Sequence, residues 1–410
     1  MVSFYKFSSM YYSMFWWYNI CIGGMTMIII NGKIFTEKRV IENGYLIVEG
    51  ETIHSFGEMA FVPEYEGEVI DAKGLNVVPG FVDQHIHGAN GADHMDGEKS
   101  GLENIVNFLP KEGTTSYLPT TMTQSIETVS NSLKTIADFI EQENKPGQTE
   151  MLGIHLEGPF ISKKHVGAQH PQHVKKPTRE TSDILEKAAK GYIKLITYAP
   201  EEAEAGFTDY LVSKNVVASS GHTDANYDQI MAAKAEGLSN MTHFYNAMLP
   251  HHHRIPGAVT AGLISPELKA ELIVDGIHVH RDTIKATFMI KGEDNIIGIT
   301  DAMRAKGLPD GEYDLGGQTV YKTGNECRLS DGTLAGSVAT MDMVARNLKD
   351  FTGCSMEQLI KMTSTNSAKQ LGVYGRKGSL NIGKDADIVV MSDDIEINTT
   401  ICRGVVAYSA

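Results

Sequence analysis

The sequence predicts an α/β fold: a (β/α)8 TIM barrel with a small β-sandwich domain built from both chain ends. Three observations lead there. The middle of the 410-residue chain alternates short apolar runs with helix-period segments, the signature of parallel strands joined by helices. Eight such units fit in about 290 residues, the count and length of a closed barrel. The two ends carry only short alternating runs broken by turn residues, which reads as β structure.

In chain order, residues 1–26 are crowded with Tyr, Phe, Trp and Met and carry one charge, Lys6. They lack the aliphatic core of a signal peptide, and Ser, Tyr, Asn and Lys interrupt them well short of about 20 membrane-spanning residues. They are read as a non-native or disordered extension, with the working start at Met25 or Met27 rather than Met1. Runs at 27–30, 44–48 and 52–56 are separated by Asn31-Gly32 and Glu49-Gly50, which are hairpin-turn pairs. Runs at 386–391 and 404–408 share this character, so 27–75 and 373–410 are assigned to one discontinuous β domain and 76–372 to the barrel. Barrel strands are expected at 77–87, 115–121, 151–158, 193–199, 216–222, 241–248, 270–278 and 296–303. Helices are expected at 126–143, 182–190, 225–236 and 281–290. An inserted hairpin at 311–336 and helices at 341–350 and 356–370 complete the barrel.

The formal net charge of −15 argues against nucleic acid and anionic membranes as partners. An anionic ligand would need cations gathered locally. The four cysteines, Cys21, Cys327, Cys354 and Cys402, form no CxxC pair and read as reduced thiols of a cytoplasmic protein.

Chemistry-bearing residues recur where the strands end. His85 and His87 lie two apart on the first strand, so both point to one face, and converging imidazoles are what a divalent transition metal needs. Strand three ends in Glu157, strand five in His222, strand seven in Asp275 to His278 and strand eight in Asp301, while strand six carries His243. Barrel enzymes place their chemistry at this end. Residues 88–91 are glycine-rich but lack phosphate-loop spacing, and no Gly-x-Ser-x-Gly elbow is present.

His-x-His on strand one, histidines on strands five and six and aspartate on strand eight resemble the amidohydrolase superfamily. Within it, HLEGPFIS, SSGHTDA, THFYNAM, GITDAM and LAGS are similar to the N-acetylglucosamine-6-phosphate deacetylases, from residue 27 to the C-terminus. The resemblance implies metal-dependent deacetylation of N-acetylglucosamine 6-phosphate to glucosamine 6-phosphate and acetate, in amino-sugar metabolism. It makes Glu157, His222 and His243 ligands of a principal metal. His85 and His87 would hold a second ion with Glu157 bridging, since strand four offers only Lys194, at its start, where many two-metal relatives use a carboxylated lysine. One or two divalent ions are implied, and zinc, iron, manganese and cobalt all accept such ligands.

The same resemblance gives Asp301 the proton transfers, as general base and then acid. A histidine after strand three polarises the carbonyl in the family; either Gln169 or His170 takes that place here, with His170 favoured. Asn246, Ala247 and Arg254 would receive the phosphate, Arg254 reaching across a homodimer interface. His278, Leu334, Ala335 and Gly336 would contact the substrate. His251 to His253 read as a solvated loop, and His94, His165 and His280 as surface residues. Two other readings remain: an amidohydrolase acting on an N-acyl amino acid or cyclic amide, and a non-catalytic scaffold.

Overall fold

The strand expected at 77–87 is broken at Gly80, and the break separates two parts of the molecule. The computed structural model describes residues 26–410. Apart from Thr26, the expected extension and the choice of start lie outside the described residues, as does Cys21. Asn76–Pro79 pairs antiparallel with Ile388–Met391 and parallel with Thr26–Phe35, whereas Phe81–Ile86 pairs parallel with Thr114–Pro119. A Cβ on Gly80 would lie 2.2 Å from the Thr115 side chain, so only glycine lets the chain pass between the two sheets.

The chain ends meet in one hydrogen-bonded sheet of eight strands. Five come from the N-terminal part (Thr26–Phe35, Val40–Glu49, Thr52–Glu58, Glu68–Asp71, Asn76–Pro79) and three from the C-terminal part (Ile388–Met391, Ile397–Cys402, Val405–Ser409). Ile29, Leu46, Val48, Val77, Ile388 and Val390 share its core.

The barrel strands are Phe81–Ile86, Thr114–Pro119, Ile154–Glu157, Ile193–Tyr198, Val217–Ser220, Asn240–Met241, Lys269–Ile273 and Ile296–Ile299. Consecutive members run parallel, with a Thr120 to His155 bridge joining the second to the third. The ring closes where the Asp301 N–H donates to the His85 carbonyl at 2.8 Å. Most strands end earlier than expected. The sixth is two residues long, and 242–247 is a turn in which His243, Tyr245 and Ala247 have φ of 31°, 83° and 50°. Side-chain alternation made that turn look extended.

Helices form where caps and apolar spacing agree. In Ile126–Glu143, Val129, Leu133, Ile136 and Ala137 form the buried stripe, and Ser125 Oγ accepts from the Thr128 N–H at 3.1 Å, as an N-cap does. The other expected helices are Arg179–Ala188, Tyr227–Ala235, Arg281–Lys291 and Met341–Thr352; the last expected helix contains a π turn at Lys361–Thr365. Lys99–Phe108, Phe207–Ser213 and Ala258–Ile264 were not expected; the last two, at seven residues each, are too short to show a clear period. The insert is a three-stranded sheet, Gly311–Leu315, Gln318–Thr323 and Glu326–Arg328. Cys327, Cys354 and Cys402 are free and buried.

A buried ion cluster ties the C-terminal segment to the barrel. Lys377 Nζ lies 2.6 Å from Glu150 and 3.0 Å from Asp385, and also contacts Asp387, while its side chain is 1% exposed. Burial would raise the Glu150 carboxyl, but Arg376 and Lys377 bring it down to about 2. A carboxylate so depressed contributes stability above its ordinary value near 4.5 and loses it as pH falls toward 2. Lys377→Met strands buried carboxylates and is expected to cost about 3–5 kcal/mol at neutral pH. Denaturant unfolding should show the gap to wild type narrowing as acid protonates those carboxylates.

Candidate active site and metal centre

Glu157 ends the third strand fully buried, and its two oxygens face different partners. Oε1 lies 3.1 Å from His222 Nε2 and 3.1 Å from His243 Nε2, which are themselves 3.0 Å apart. Oε2 lies 3.1 Å from His87 Nε2 and 3.6 Å from His85 Nε2. Asp301 Oδ1 closes the group at 3.2 Å from His87 and 3.3 Å from His85. His222, His243 and Asp301 each take a left-handed backbone, with φ of 46°, 31° and 50°. Just past a strand end, that conformation turns the side chain inward, at about 1–3 kcal/mol for each non-glycine residue.

For two of the four rings, His222 and His85, a hydrogen bond behind the ring fixes which nitrogen carries the proton. His222 Nδ1 lies 2.7 Å from the His165 carbonyl, an acceptor only, so Nδ1 holds the hydrogen and a neutral ring presents a bare lone pair at Nε2. His85 Nδ1 faces Glu271 Oε2 at 3.1 Å, with the same outcome. Lone pairs therefore converge with carboxylate oxygens in a buried space, which is repulsive unless a positive charge lies between them. Burial would lower His87, but Asp301 and Glu157 push it up to about 9. Burial would raise Asp301, but His85 and His87 bring it down to about 2. The group calls for positive charge, and its nitrogen and carboxylate donors fit divalent metal.

Two sets of donors have ligand atoms within 4.8 Å of one another: His85, His87 and Glu157, and Glu157, His222 and His243. Glu157 belongs to both. A third set, Glu150, Asp385 and Asp387, already has Lys377 among its oxygens and needs no metal. Lys194 stands at the start of strand four, the end opposite the site.

A cavity of about 540 Å³ opens over these ligands, lined among others by His87, Glu157, His222, His243 and Asp301. Gln169, Asn246, Ala247, His278, Leu334 and Gly336 also line it. His170 does not; its ring packs on His173 at 5.3 Å. Gln169 is buried, accepts from the Thr123 N–H at 2.8 Å and directs Nε2 toward His222 at 3.5 Å. The preference for His170 is corrected on position, because the loop turns Gln169 inward. Ala335 is fully buried behind the wall, its N–H bonded to the Cys327 carbonyl. Arg254 is exposed, outside the wall, beside His253 at 2.7 Å.

His94 was expected on the surface but is fully buried, 3.3 Å from the Tyr117 hydroxyl. His165 lines the cavity, paired with Asp224 at 3.0 Å. Lys164, Arg328 and Thr333 also reach the wall without having been singled out. Proximity of residues 164 and 165 to Glu157 in the chain was a usable signal; Arg328 arrives through the inserted sheet, which no local pattern announces.

Residues 76–407 match the family model described as Amidohydrolase family. A Bacillus subtilis N-acetylglucosamine-6-phosphate deacetylase is 43% identical over 93% of this chain and 97% of its own. An Escherichia coli O157:H7 N-acetylgalactosamine-6-phosphate deacetylase is 33% identical, covering 93% and 100%. A solved structure of a mutant Mycobacterium smegmatis N-acetyl-D-glucosamine-6-phosphate deacetylase, in complex with N-acetyl-D-glucosamine-6-phosphate, superposes with a TM-score of 0.87 at 28% identity, over 94% of this chain and 100% of that one. With a barrel that gathers histidines and carboxylates at one mouth, and a match spanning most of its length, the chain belongs to the amidohydrolase family.

Proposed function

We propose that this chain hydrolyses the acetamide of N-acetylglucosamine 6-phosphate, releasing glucosamine 6-phosphate and acetate. The observation that carries the chemistry is Glu157 shared between two histidine pairs, with Asp301 3.2 Å from His87. The substrate is supported by the relatives, whose names specify amino-sugar 6-phosphates.

Glu157, His222 and His243 would hold one divalent ion, and His85, His87 and Glu157 a second. Such an ion lowers the pKa of water toward neutrality and polarises a carbonyl. Asp301 remains a carboxylate at neutral pH and can take a proton from attacking water, then return it to the departing amine nitrogen. Gln169, its oxygen fixed by the Thr123 N–H, offers an amide donor to the acetyl oxygen. Asn246, Ala247, His278, Leu334 and Gly336 position the sugar phosphate from the wall, with Ala335 supporting their loop.

Arg254 lies outside the cavity of its own chain, which favours its service to a neighbouring one in a homodimer. We read the sheet made by the chain ends as a small β-sandwich, since its halves share one core, with 373–410 completing it; the expected boundary at 75/76 shifts to Gly80, because Asn76–Pro79 pairs within that sheet. No helix among the described residues is long and apolar enough to cross a membrane. The buried free thiols of Cys327, Cys354 and Cys402 support a cytoplasmic site of action.

The test is steady-state release of acetate from N-acetylglucosamine 6-phosphate with and without chelator. Turnover that chelation abolishes and metal restores is expected; faster turnover of an unphosphorylated amide would favour another amidohydrolase activity, and a metal-free, inactive protein would favour a scaffold. Arg254→Ala is expected to raise KM about 10- to 100-fold with kcat little changed, the loss of charge-assisted hydrogen bonds worth about 1.5–3 kcal/mol. Initial rates across substrate concentration would measure it.

A further inference from the structure

Behind the ligands, and outside the cavity wall, stands a carboxylate for which the reaction described above has no use. Glu271 lies in the middle of the seventh strand, Lys269–Ile273, and is 0% exposed. Its two oxygens are held unequally. Oε1 accepts from Gln84 Nε2 at 2.7 Å and from Asn240 Nδ2 at 2.9 Å. Oε2 faces His85 Nδ1 at 3.1 Å and the His243 backbone N–H at 3.3 Å. Gln84 and His85 are neighbours on the first strand, and Asn240 and His243 flank the end of the sixth, so one side chain links both parts of the ligand set.

We propose that Glu271 is a positioning residue that sets occupancy of the second ion by fixing the tautomer of His85. An acceptor at Oε2 keeps the hydrogen on His85 Nδ1, which leaves Nε2 bare toward Glu157 and Asp301. A carboxylate behind a histidine ligand orients the ring and increases its basicity; such partners are worth about 10- to 100-fold in metal affinity. His222 gets the same service from the His165 carbonyl, and Glu271 touches His243 only through the longer bond from its backbone N–H, not through its ring. The ion between His85 and His87 should therefore be the more sensitive of the two to Glu271. This inference rests on the two-ion reading given above.

Glu271→Gln tests it sharply. Two amide donors already point at Oε1, so the glutamine oxygen must settle there and its NH2 must take the Oε2 position. That NH2 faces His85 Nδ1, which can accept only if the ring moves its hydrogen to Nε2, where it blocks a ligand lone pair.

Zinc-loaded wild type, Glu271→Gln and Glu271→Asp would be dialysed against graded free zinc and their metal content measured per chain. Two ions in wild type, a 10- to 100-fold loss of affinity for one of them in Glu271→Gln, and at least partial retention in Glu271→Asp are expected. Two ions held equally well by wild type and Glu271→Gln would overturn the proposal. A wild type that binds a single ion at every zinc concentration would overturn the two-ion reading itself. If Glu271→Gln does not fold, 15N-histidine NMR of zinc-loaded wild type decides: a protected Nδ1 hydrogen on His85, assigned by its loss in His85→Asn, supports the proposal, and an Nε2 hydrogen on that ring refutes it.

Discussion

Glu157→Gln is expected to empty both metal positions together and to lower kcat/KM by about ten-thousand-fold or more. Each carboxylate oxygen faces a separate pair of imidazoles, Oε1 toward His222 and His243 and Oε2 toward His87 and His85. Glutamine can offer an oxygen to one pair only, and its NH2 then points hydrogens at the other pair, where lone pairs have to meet a cation. The negative charge that offsets the ion is lost as well. Since each factor of ten corresponds to about 1.4 kcal/mol of barrier, losing the Lewis acidity and water activation that the ions would supply is expected to amount to at least about 5 kcal/mol. Metal analysis beside steady-state kinetics would check this. His222→Asn gives the contrast: one ion should leave and one should stay. If Glu157→Gln kept a full complement of metal, the bridging role would be wrong.

Asp301→Asn is expected to lower kcat about 10²–10⁴-fold, the range for a positioned acid–base group, with metal retained and KM within a few-fold of wild type. Its backbone is anchored twice: the N–H donates to the His85 carbonyl and the carbonyl accepts from the Ser337 N–H, at 2.8 and 2.9 Å. The side chain is thereby fixed in the mouth whatever its charge. Asparagine fits this space but cannot take a proton from water or hand one to the amine. Metal content separates the two roles open to a carboxylate here. A variant that loses an ion along with its rate would make Asp301 chiefly a ligand, and one that keeps both ions while turnover collapses would make it the proton carrier.

The same residues show how far sequence reasoning reaches. His85 and His87 were legible because a strand has a period of two, and Glu157, His222 and Asp301 because each follows an apolar run that ends abruptly. His243 was found although its surroundings were misread: 242–247 is a turn, and a left-handed residue beyond a two-residue strand carries the imidazole inward. His170 was preferred to Gln169 with nothing local to decide between them, because neighbours in a loop have no periodicity to say which faces the cavity. Glu271 was passed over inside a strand. A lone acid there gives no signal until Gln84, Asn240 and His85 are seen to surround it.

By itself, the order of residues determined the alternation of strands and helices, the small β unit at both ends, and the kind of atoms available for chemistry. These follow from local preferences and from the burial of apolar side chains, which are written along the chain. Tertiary structure alone decided that Glu157 divides its oxygens between two histidine pairs, that Gln169 faces inward and His170 does not, and that Lys377 occupies an acidic cluster that could otherwise pass for a metal site. Those outcomes depend on distances of about 3 Å between groups up to hundreds of positions apart, and closure of the ring, not any local pattern, sets such distances.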